Sequence, residues 1–466
     1  MLFSSIPFLY YFLPCALLLY FLVPRRMKNG ALLLCSLFFY GWGEPKYLIL
    51  MLVSILQGYV FGLLAEKFRG RRQGKLFLTL SVVLSLLLLG YFKYADFFLS
   101  SFHAVTGLSV PVLRVALPIG ISFYTFQVLS YVVDVYRGDA AAQRNFIDLA
   151  AYISMFPQLI AGPIVRYTDI AGQLKERRHS LPEAAAGARR FLLGLGKKIL
   201  LANLLGQLVS AYTASETPSV LFSWLYALAF TLQIYFDFSA YSDMAIGLGR
   251  IFGFRFPENF DYPYCSASIT EFWRRWHISL GSWFRDYLYI PLGGSRRGTA
   301  RLLINLLIVW AATGLWHGAA WNFVLWGLFY ATLLILEKLW LLPKLKKRPA
   351  LGHIYTLLFV TLGFVLFDSP DVSSALSRIG GLFGAGGLPA VNAESLYCLR
   401  SYAVVLALAL VGATPLPKLA LARLRRSRAC ALCLDILEPL ALTALLAVCT
   451  AYLIDGSFNP FLYFRF

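Results

Sequence analysis

Long uncharged apolar stretches recur along this chain and alternate with short segments rich in lysine and arginine. The clearest of these stretches are residues 2–23, 47–65, 76–92, 220–236, 302–336 and 401–414. A helix that crosses a bilayer needs about 20 largely apolar residues, and such stretches fill most of the sequence. The pattern predicts an all-α polytopic membrane protein with roughly eleven spanning helices, and with re-entrant or interfacial helices where the stretches are short or broken.

Composition agrees with a membrane protein and explains the basic charge. Of the 466 residues, 59% are hydrophobic and 14% are charged, whereas soluble domains carry about 25% charged residues. The 42 lysines and arginines outnumber the 23 aspartates and glutamates, and they cluster between apolar stretches as cytoplasmic loops do. We therefore expect no nucleic-acid partner. A basic cytoplasmic face also attracts anionic lipid and phosphorylated substrates, so membrane lipid is an expected partner.

One histidine stands out within the apolar stretch 302–336. His317 is the only side chain there that ionises near neutral pH, and polar groups at bilayer depth are costly and often mark a pathway or a reaction centre. An interior histidine that hydrogen-bonds a neighbouring helix is the structural alternative. Gly314 and Gly318 flank it and remove side-chain bulk, which lets another backbone or a substrate come close.

Two earlier segments interrupt the membrane pattern. Residues 156–163 carry two prolines and a glycine in an apolar stretch, which is typical either of a re-entrant turn that lines a cavity or of a kinked helix end. Asp237 and Asp243 lie in an aromatic stretch, and on one helix they would point about 120° apart, so they do not form an acid/base pair. We expect each to pair with an arginine. The candidate partners are Arg250, Arg274 and Arg275.

A third interruption, residues 268–291, has the pattern of one amphipathic helix at the membrane interface. Ser268 and Glu271 have the spacing of a capping box, and Pro291 would end the helix. A helical wheel separates an aromatic side from a charged side. The aromatic side comprises Phe272, Trp276, Leu280, Trp283 and Tyr287, and the charged side comprises Glu271, Arg274, Arg275, Ser282, Arg285 and Asp286. His277 lies at the edge of the aromatic side, where either packing or function would explain it.

The residue patterns leave an imidazole base as the available catalytic group. Neither His277 nor His317 has the spacing of a metal site, so no metal is expected, and the chain has no phosphate-binding loop or serine-nucleophile motif. The pKa of an imidazole, about 6.5, suits removal of a proton from a hydroxyl at neutral pH.

Six segments together resemble the membrane-bound O-acyltransferase family, and within it the bacterial branch that contains the alginate O-acetylation proteins. They are residues 156–167, 235–243, 272–280, 285–294, 314–318 and 459–466. The resemblance is strong over about 150–330 and at the extreme C-terminus. It implies a single membrane-embedded acyltransferase domain over residues 1–466, built as a ring of tilted helices around a central tunnel.

The resemblance also implies roles for residues in these segments. His317, in Trp-His-Gly, falls on the catalytic position of the family, and His277 falls on its second functional position. Further candidates for binding substrate lie in the same segments. They are Arg274, Arg275, Trp316, Asp243 and Gln158.

The implied reaction moves an acyl group, acetyl above all, from a cytoplasmic thioester across the bacterial cell membrane. The donor would be acetyl-CoA or an acyl-carrier thioester, and no bound cofactor is expected. A separate extracytoplasmic protein of the SGNH type would then place the acetyl group on a polysaccharide, which is thus an indirect partner. A D-alanyl transfer protein for teichoic acids, which uses a carrier-protein thioester, is the alternative within the family. A noncatalytic transporter or a scaffold of a polymer secretion complex is the alternative outside it.

Overall fold

The structure, a computed structural model, describes residues 1–160, 162–456 and 461–462, and the regular elements among these residues are all helices, with no strand. The all-α prediction is confirmed. The chain divides into two compact units. The first unit consists of Met1–Phe191 and Ser242–Pro257, and the second of Leu192–Tyr241 and Glu258–Phe466.

The helices follow one another with connections that range from a few residues to long loops such as 107–120 between α5 and α6. The first eight are α1 (Leu13–Leu22), α2 (Lys28–Gly43), α3 (Leu48–Lys67), α4 (Arg72–Leu89), α5 (Ala95–Thr106), α6 (Ile121–Arg137), α7 (Phe146–Ser154) and α8 (Tyr167–Lys175). Next come α9 (Leu181–Gly196), α10 (Asn203–Ala214) and α11 (Val220–Ile251). The remaining helices are α12 (Ile269–Arg275), α13 (Ile278–Phe284), α14 (Thr299–His317), α15 (Trp321–Leu336), α16 (Leu342–Lys347), α17 (Pro349–Asp368), α18 (Val372–Leu382), α19 (Ala393–Gly412), α20 (Leu416–Leu424) and α21 (Arg428–Asp455). Since α9 and α11 contain residues of both units, the chain passes between the units along helices.

Within the described residues, nine continuous helical segments are long and apolar enough to cross a membrane. They are Pro45–Lys67, Arg72–Thr106, Leu181–Ala214, Val220–Ile251, Thr299–His317, Trp321–Lys347, Pro349–Asp368, Ala393–Gly412 and Arg428–Asp455. Several of them join two α-helices through a π-helical turn, as at Gly90–Tyr94 between α4 and α5. A shorter apolar helix covers Pro7–Leu22. The chain is therefore a polytopic membrane protein.

The apolar stretch 302–336 forms a hairpin of two helices, α14 and α15, in the second unit. Glycine makes this pairing close: a Cβ on Gly314 would lie 2.2 Å from the carbonyl oxygen of Phe323. On the facing helix, a Cβ on Gly327 would lie 2.2 Å from the carbonyl oxygen of Trp310. The expectation that Gly314 admits another backbone is confirmed. The hairpin also puts His317 at the end of a helix and next to the turn.

The segment that begins at Phe156 is a buried turn of the first unit. Helix α7 ends at Ser154, and no described residue is helical again before α8 begins at Tyr167. Gln158 is buried within this turn, and its Nε2 donates a hydrogen bond to the carbonyl of Tyr152 at 2.7 Å. The structure therefore shows a buried turn directly after the end of α7, and the expectation that it is re-entrant and lines a cavity stays a prediction.

Candidate active site

The amphipathic segment of the second unit is broken at His277, so the prediction of one continuous helix is wrong. Helix α12 ends before His277 and α13 begins after it, and His277 itself has φ 45° and ψ 53°. This left-handed conformation costs an L-residue about 1–2 kcal/mol. The predicted start is confirmed, because Ser268 Oγ accepts the backbone N–H of Glu271 at 3.0 Å. The surrounding structure must therefore compensate for the break.

Asn259 forms hydrogen bonds with the first residues of α13, directly after the break. Its backbone carbonyl accepts the N–H of Ile278 at 3.0 Å. Its side-chain Oδ1 accepts the N–H and the Oγ–H of Ser279, at 3.3 Å and 2.8 Å. Because the first N–H groups of a helix have no intrahelical partner, these bonds allow α13 to begin at a buried position. They are the physical reason why the helix restarts there.

The same asparagine fixes the tautomer of His277. Nδ1 of His277 lies 3.1 Å from Asn259 Oδ1. The atom at that position is the amide oxygen, because the backbone N–H of Ser279 can only donate to it. Nδ1 therefore carries the hydrogen, and Nε2 carries the lone pair of the neutral ring. Burial, and then the nearby His317, lower the pKa of His277 well below its ordinary value, so the ring is neutral at physiological pH.

His317 is the last residue of α14 and lies in a buried aromatic cluster of the second unit. Its ring meets those of Trp316 and Trp326 edge-on, each at 5.0 Å between centroids, and that of Phe367 at 5.3 Å. The ring of His277 lies 5.9 Å from Trp316. The indole of Trp316 thus contacts both imidazoles, and the structure brings these three candidate residues together.

The two histidines line different cavities. His277 lines a cavity of about 500 Å³, together with Trp273, Arg274 and Arg285. His317 lines a second cavity of about 20 Å³, to which Asp237 also contributes. Trp276 belongs to the walls of both. The larger cavity can hold part of a ligand, whereas the smaller is about the size of one water molecule.

The candidate arginines have different surroundings. Arg274 is exposed at the wall of the larger cavity, and no other described residue forms an ion pair with it. Arg275 forms an ion pair with Glu271 at 2.9 Å and lies 4.0 Å from the carboxylate of Asp261. Arg274 therefore has the guanidinium that is available to an anionic ligand, and Arg275 has its charge partly neutralised.

The two aspartates of α11 form separate ion pairs, as expected, but with other partners. Asp237 pairs with Lys198 at 2.5 Å, and both side chains are buried. Asp243 pairs with Arg190, with 2.8 Å between Arg190 Nη2 and Asp243 Oδ1. The candidate partners Arg250, Arg274 and Arg275 were wrong. The true partners lie in α9 and the helical turn after it, and sequence distance alone does not indicate that this segment packs against α11.

Two of the candidate substrate-binding residues belong to the first unit. Gln158 bonds the end of α7, and Asp243 pairs with Arg190 of the same unit. The histidines, Trp316 and the two arginines belong to the second unit.

Glu337 is a residue of this site that the sequence analysis missed. It is completely buried after α15, and its carboxylate accepts the backbone N–H groups of Ile269 and Thr270 at 2.6 Å and 2.8 Å. It also accepts the hydroxyl of Thr270 at 2.6 Å. A carboxylate at a helix N-terminus is favourable, so Glu337 fixes the start of α12. One signal was present, since Glu337 is the only acidic residue between Asp286 and Asp368.

Comparison with known proteins shows which family and which enzymes this chain is similar to. Residues 139–343 match the membrane-bound O-acyltransferase family. The chain is 41% identical to the probable alginate O-acetylase AlgI of Pseudomonas putida, over 100% of both chains. It is 34% identical to the peptidoglycan O-acetyltransferase of Helicobacter pylori, over 83% of this chain and 81% of that protein. It is 27% identical to the teichoic acid D-alanyltransferase of Bacillus subtilis, over 54% of this chain and 68% of that protein.

Proposed function

This chain belongs to the membrane-bound O-acyltransferase family, and from that premise we propose that it supplies acetyl groups for O-acetylation of a polysaccharide outside the bacterial cell membrane. It is an O-acyltransferase, and its helices make it a multi-pass membrane protein. The observation that carries the proposal is the meeting of the two motif histidines at Trp316. Full-length similarity to an alginate O-acetylase supports acetyl as the acyl group.

In the proposed reaction His317 is the general base. It takes the proton from the acceptor hydroxyl, and the oxygen attacks the carbonyl carbon of the thioester. The tetrahedral intermediate then loses the thiolate as the C–S bond breaks, and the imidazolium of His317 returns the proton to the sulfur. An ester replaces a thioester, and no oxidant or reductant is needed. The aromatic rings around His317 support this role because they keep bulk water away from the reacting atoms.

His277 is proposed to position the donor. Two roles are open to a histidine at this position, positioning the donor or polarising its carbonyl. A neutral ring whose Nδ1–H is bonded to Asn259 can only accept at Nε2, which supports positioning. The amide N–H groups of a pantetheine arm, which coenzyme A and carrier proteins share, are suitable donors to that nitrogen. A neutral His277 also places no like charge beside the imidazolium that forms at His317.

The proposed donor is acetyl-CoA, which enters from the cytoplasm. The cavity of about 500 Å³ beside His277 has Arg274 and Arg285 in its wall, and guanidinium groups bind phosphate well. All reacting groups are side chains or substrates, and the proposal includes no resident cofactor. On the outer side, an SGNH-type partner protein would pass the acetyl group to the polysaccharide.

The test uses the purified protein in lipid nanodiscs with labelled acetyl-CoA. Thiol release and transfer of the label are measured for the native chain and for His317→Ala. We expect the substitution to lower turnover by about 10²–10⁴-fold while insertion and thermal unfolding stay normal. His103→Ala is the control, because His103 is exposed and its ring bonds the nearby backbone carbonyl of Leu108, far along the chain from the motif histidines. Native turnover in a well-inserted His317→Ala protein would contradict the assignment.

D-alanyl transfer from a carrier-protein thioester is the second candidate, and the similarity to a teichoic acid D-alanyltransferase supports it. The same assay separates the two. Turnover with a D-alanyl carrier thioester but none with acetyl-CoA would replace acetyl by D-alanyl as the proposed group. It would leave the role of His317 to be tested with that donor.

A further inference from the structure

Three basic side chains, one from the start of α2 and two from the loop after α8, meet around Tyr20, which is completely buried. The Tyr20 hydroxyl donates to the carbonyl of Phe252 at 2.8 Å and accepts from Arg177 Nε at 3.1 Å. His179 Nε2 lies 3.0 Å from the same hydroxyl. Lys28 Nζ donates to the Tyr20 carbonyl at 2.9 Å and lies 4.4 Å from the centre of its ring. We call Lys28, Arg177 and His179 the basic cluster.

The basic cluster has no counter-charge among the residues that the structure describes. Two charged groups act on Lys28, namely Arg177 and Arg25, and both are cationic. No described carboxylate forms an ion pair with Lys28, Arg177 or Arg25. Lys28 is only 9% exposed, and its ammonium makes one hydrogen bond to a described residue although it can donate three. Burial, and then the charge of Lys28, lower the pKa of His179. A buried cation without a counter-charge is costly, which points to an anion as the missing group.

An apolar groove of about 680 Å³ lies between α1 and α2 of the same unit. Its walls include Cys15, Ala16 and Leu19 from α1, and Leu34, Phe38 and Trp42 from α2. Leu19 immediately precedes Tyr20, and Leu34 lies six residues after Lys28 in α2, about 9 Å along the helix. The neighbouring side chains of α1 face the bilayer, since Leu18 is 62% and Leu22 80% exposed. The end of the groove at Leu19 and Leu34 is therefore the end nearer in the chain to Tyr20 and Lys28.

We propose that the first unit binds one anionic glycerophospholipid, with its phosphate on the basic cluster and one acyl chain in the groove between α1 and α2. Charge complementarity favours this occupant: phosphate oxygens accept the N–H groups of Lys28 and Arg177 in short charge-assisted bonds. The groove favours a lipid over a soluble phosphate compound, because its walls are apolar and open toward the bilayer side chains of α1. The residues of this site belong to the first unit, and the residues proposed for acyl transfer belong to the second.

The test compares lipid retention by native mass spectrometry on the full-length protein in detergent, with phosphatidylglycerol and phosphatidylcholine as probes. We expect one phosphatidylglycerol to be retained in preference to phosphatidylcholine, and Arg177→Gln to weaken that retention about tenfold. Arg178→Gln is the matched control, because Arg178 is the exposed neighbour in the same loop and makes no contact with Tyr20. It should retain the lipid as the native chain does.

A second pair of variants tests the apolar groove and substitutes no charged residue. Cys15→Trp would fill the groove and should also lower retention, whereas Leu18→Trp, on the adjacent exposed surface, should not. Equal loss in Arg177→Gln and Arg178→Gln would reduce the effect to general attraction by a basic face and overturn the proposal. Full retention in Cys15→Trp would overturn it as well. Displacement of the lipid by inorganic phosphate alone would identify a soluble-phosphate site and exclude the lipid site.

Discussion

Asn259 binds His277 through its side chain and binds the residue after His277 through its backbone. The side-chain oxygen lies 3.1 Å from His277 Nδ1, and the backbone carbonyl accepts the N–H of Ile278 at 3.0 Å. One residue therefore sets both the break between α12 and α13 and the direction of the imidazole at that break. Because Nδ1 donates to Asn259, the lone pair of the neutral ring is on Nε2. Changes at Asn259 should alter the protonation of His277 before they alter the fold.

Asn259→Asp should move the acidic limb of the pH–rate profile to higher pH. A carboxylate beside Nδ1 stabilises the imidazolium and raises the pKa of His277, so the neutral ring required for donor positioning is lost at a higher pH than in the native chain. The expected displacement is about one pH unit or more. The measurement is the rate of thiol release as a function of pH. Asn392→Asp is the control, because Asn392 caps α19 at Ser395 and touches no histidine. An acidic limb that stays in place would show that His277 does not titrate in the reaction.

Stability should fall as the pH is lowered below about 6.5. The pKa of His277 is lower in the folded protein than in the unfolded chain, so between these two values the unfolded state binds more protons. The free energy of unfolding therefore decreases as the pH falls through that interval, and it is unaffected by this group above it. His277→Gln removes the titration and should flatten the dependence. Thermal unfolding in detergent at a series of pH values measures it, and His103→Gln, at an exposed histidine, should keep the native slope.

The hydrophobic pattern predicted the helices because burial in lipid demands apolar residues at nearly every position. Because nearly every position is apolar, the same pattern does not show where a helix is interrupted. The helical wheel over residues 268–291 shows no interruption at His277. In the structure the aromatic side of the wheel is still buried, at Phe272 and Leu280, and the charged side is still exposed, at Arg274 and Arg285. The break arises because an asparagine 18 residues earlier takes the N–H groups at the start of α13. A contact between residues so far apart in the sequence leaves no sign in the hydrophobic pattern around His277.

The cations that pair with the two aspartates of α11 likewise could not be predicted from the sequence pattern. That Asp237 and Asp243 would be paired follows from the cost of an unpaired carboxylate in an apolar stretch. Which cation pairs with each depends on helix packing, and Lys198 and Arg190 come from a segment about 40–50 residues earlier. The motif histidines, by contrast, could be singled out as candidates from sequence, because each stands in a distinctive aromatic setting, and their catalytic roles stay predictions.

Glu337→Ala should destabilise the second unit by about 1–3 kcal/mol. The substitution leaves two buried N–H groups of α12 and the hydroxyl of Thr270 without their acceptor. Activity should fall along with stability, because α12 ends at the break that carries His277. Glu337→Gln keeps one acceptor oxygen and should lie between the native chain and Glu337→Ala. Thermal unfolding is the measurement, and Glu183→Ala, at a partly exposed glutamate paired with Arg255, should leave the unfolding temperature unchanged. If Glu337→Ala unfolds like the native chain, the carboxylate does not hold the start of α12.

Gly314→Ala should separate α14 from α15 and move His317. An added Cβ would lie 2.2 Å from the carbonyl oxygen of Phe323, which belongs to the backbone and cannot swing aside. Overpacking of this kind costs about 1–3 kcal/mol, and His317 is only three residues farther along the same helix, so turnover should fall more than stability explains. Gly172→Ala is the matched control, because Gly172 is also helical and its Cβ would meet no atom within 4 Å. The comparison needs the unfolding temperature and the rate of thiol release for both variants. Equal behaviour of the two would show that the hairpin tolerates the added methyl group and that the position of His317 does not depend on close contact between these helices.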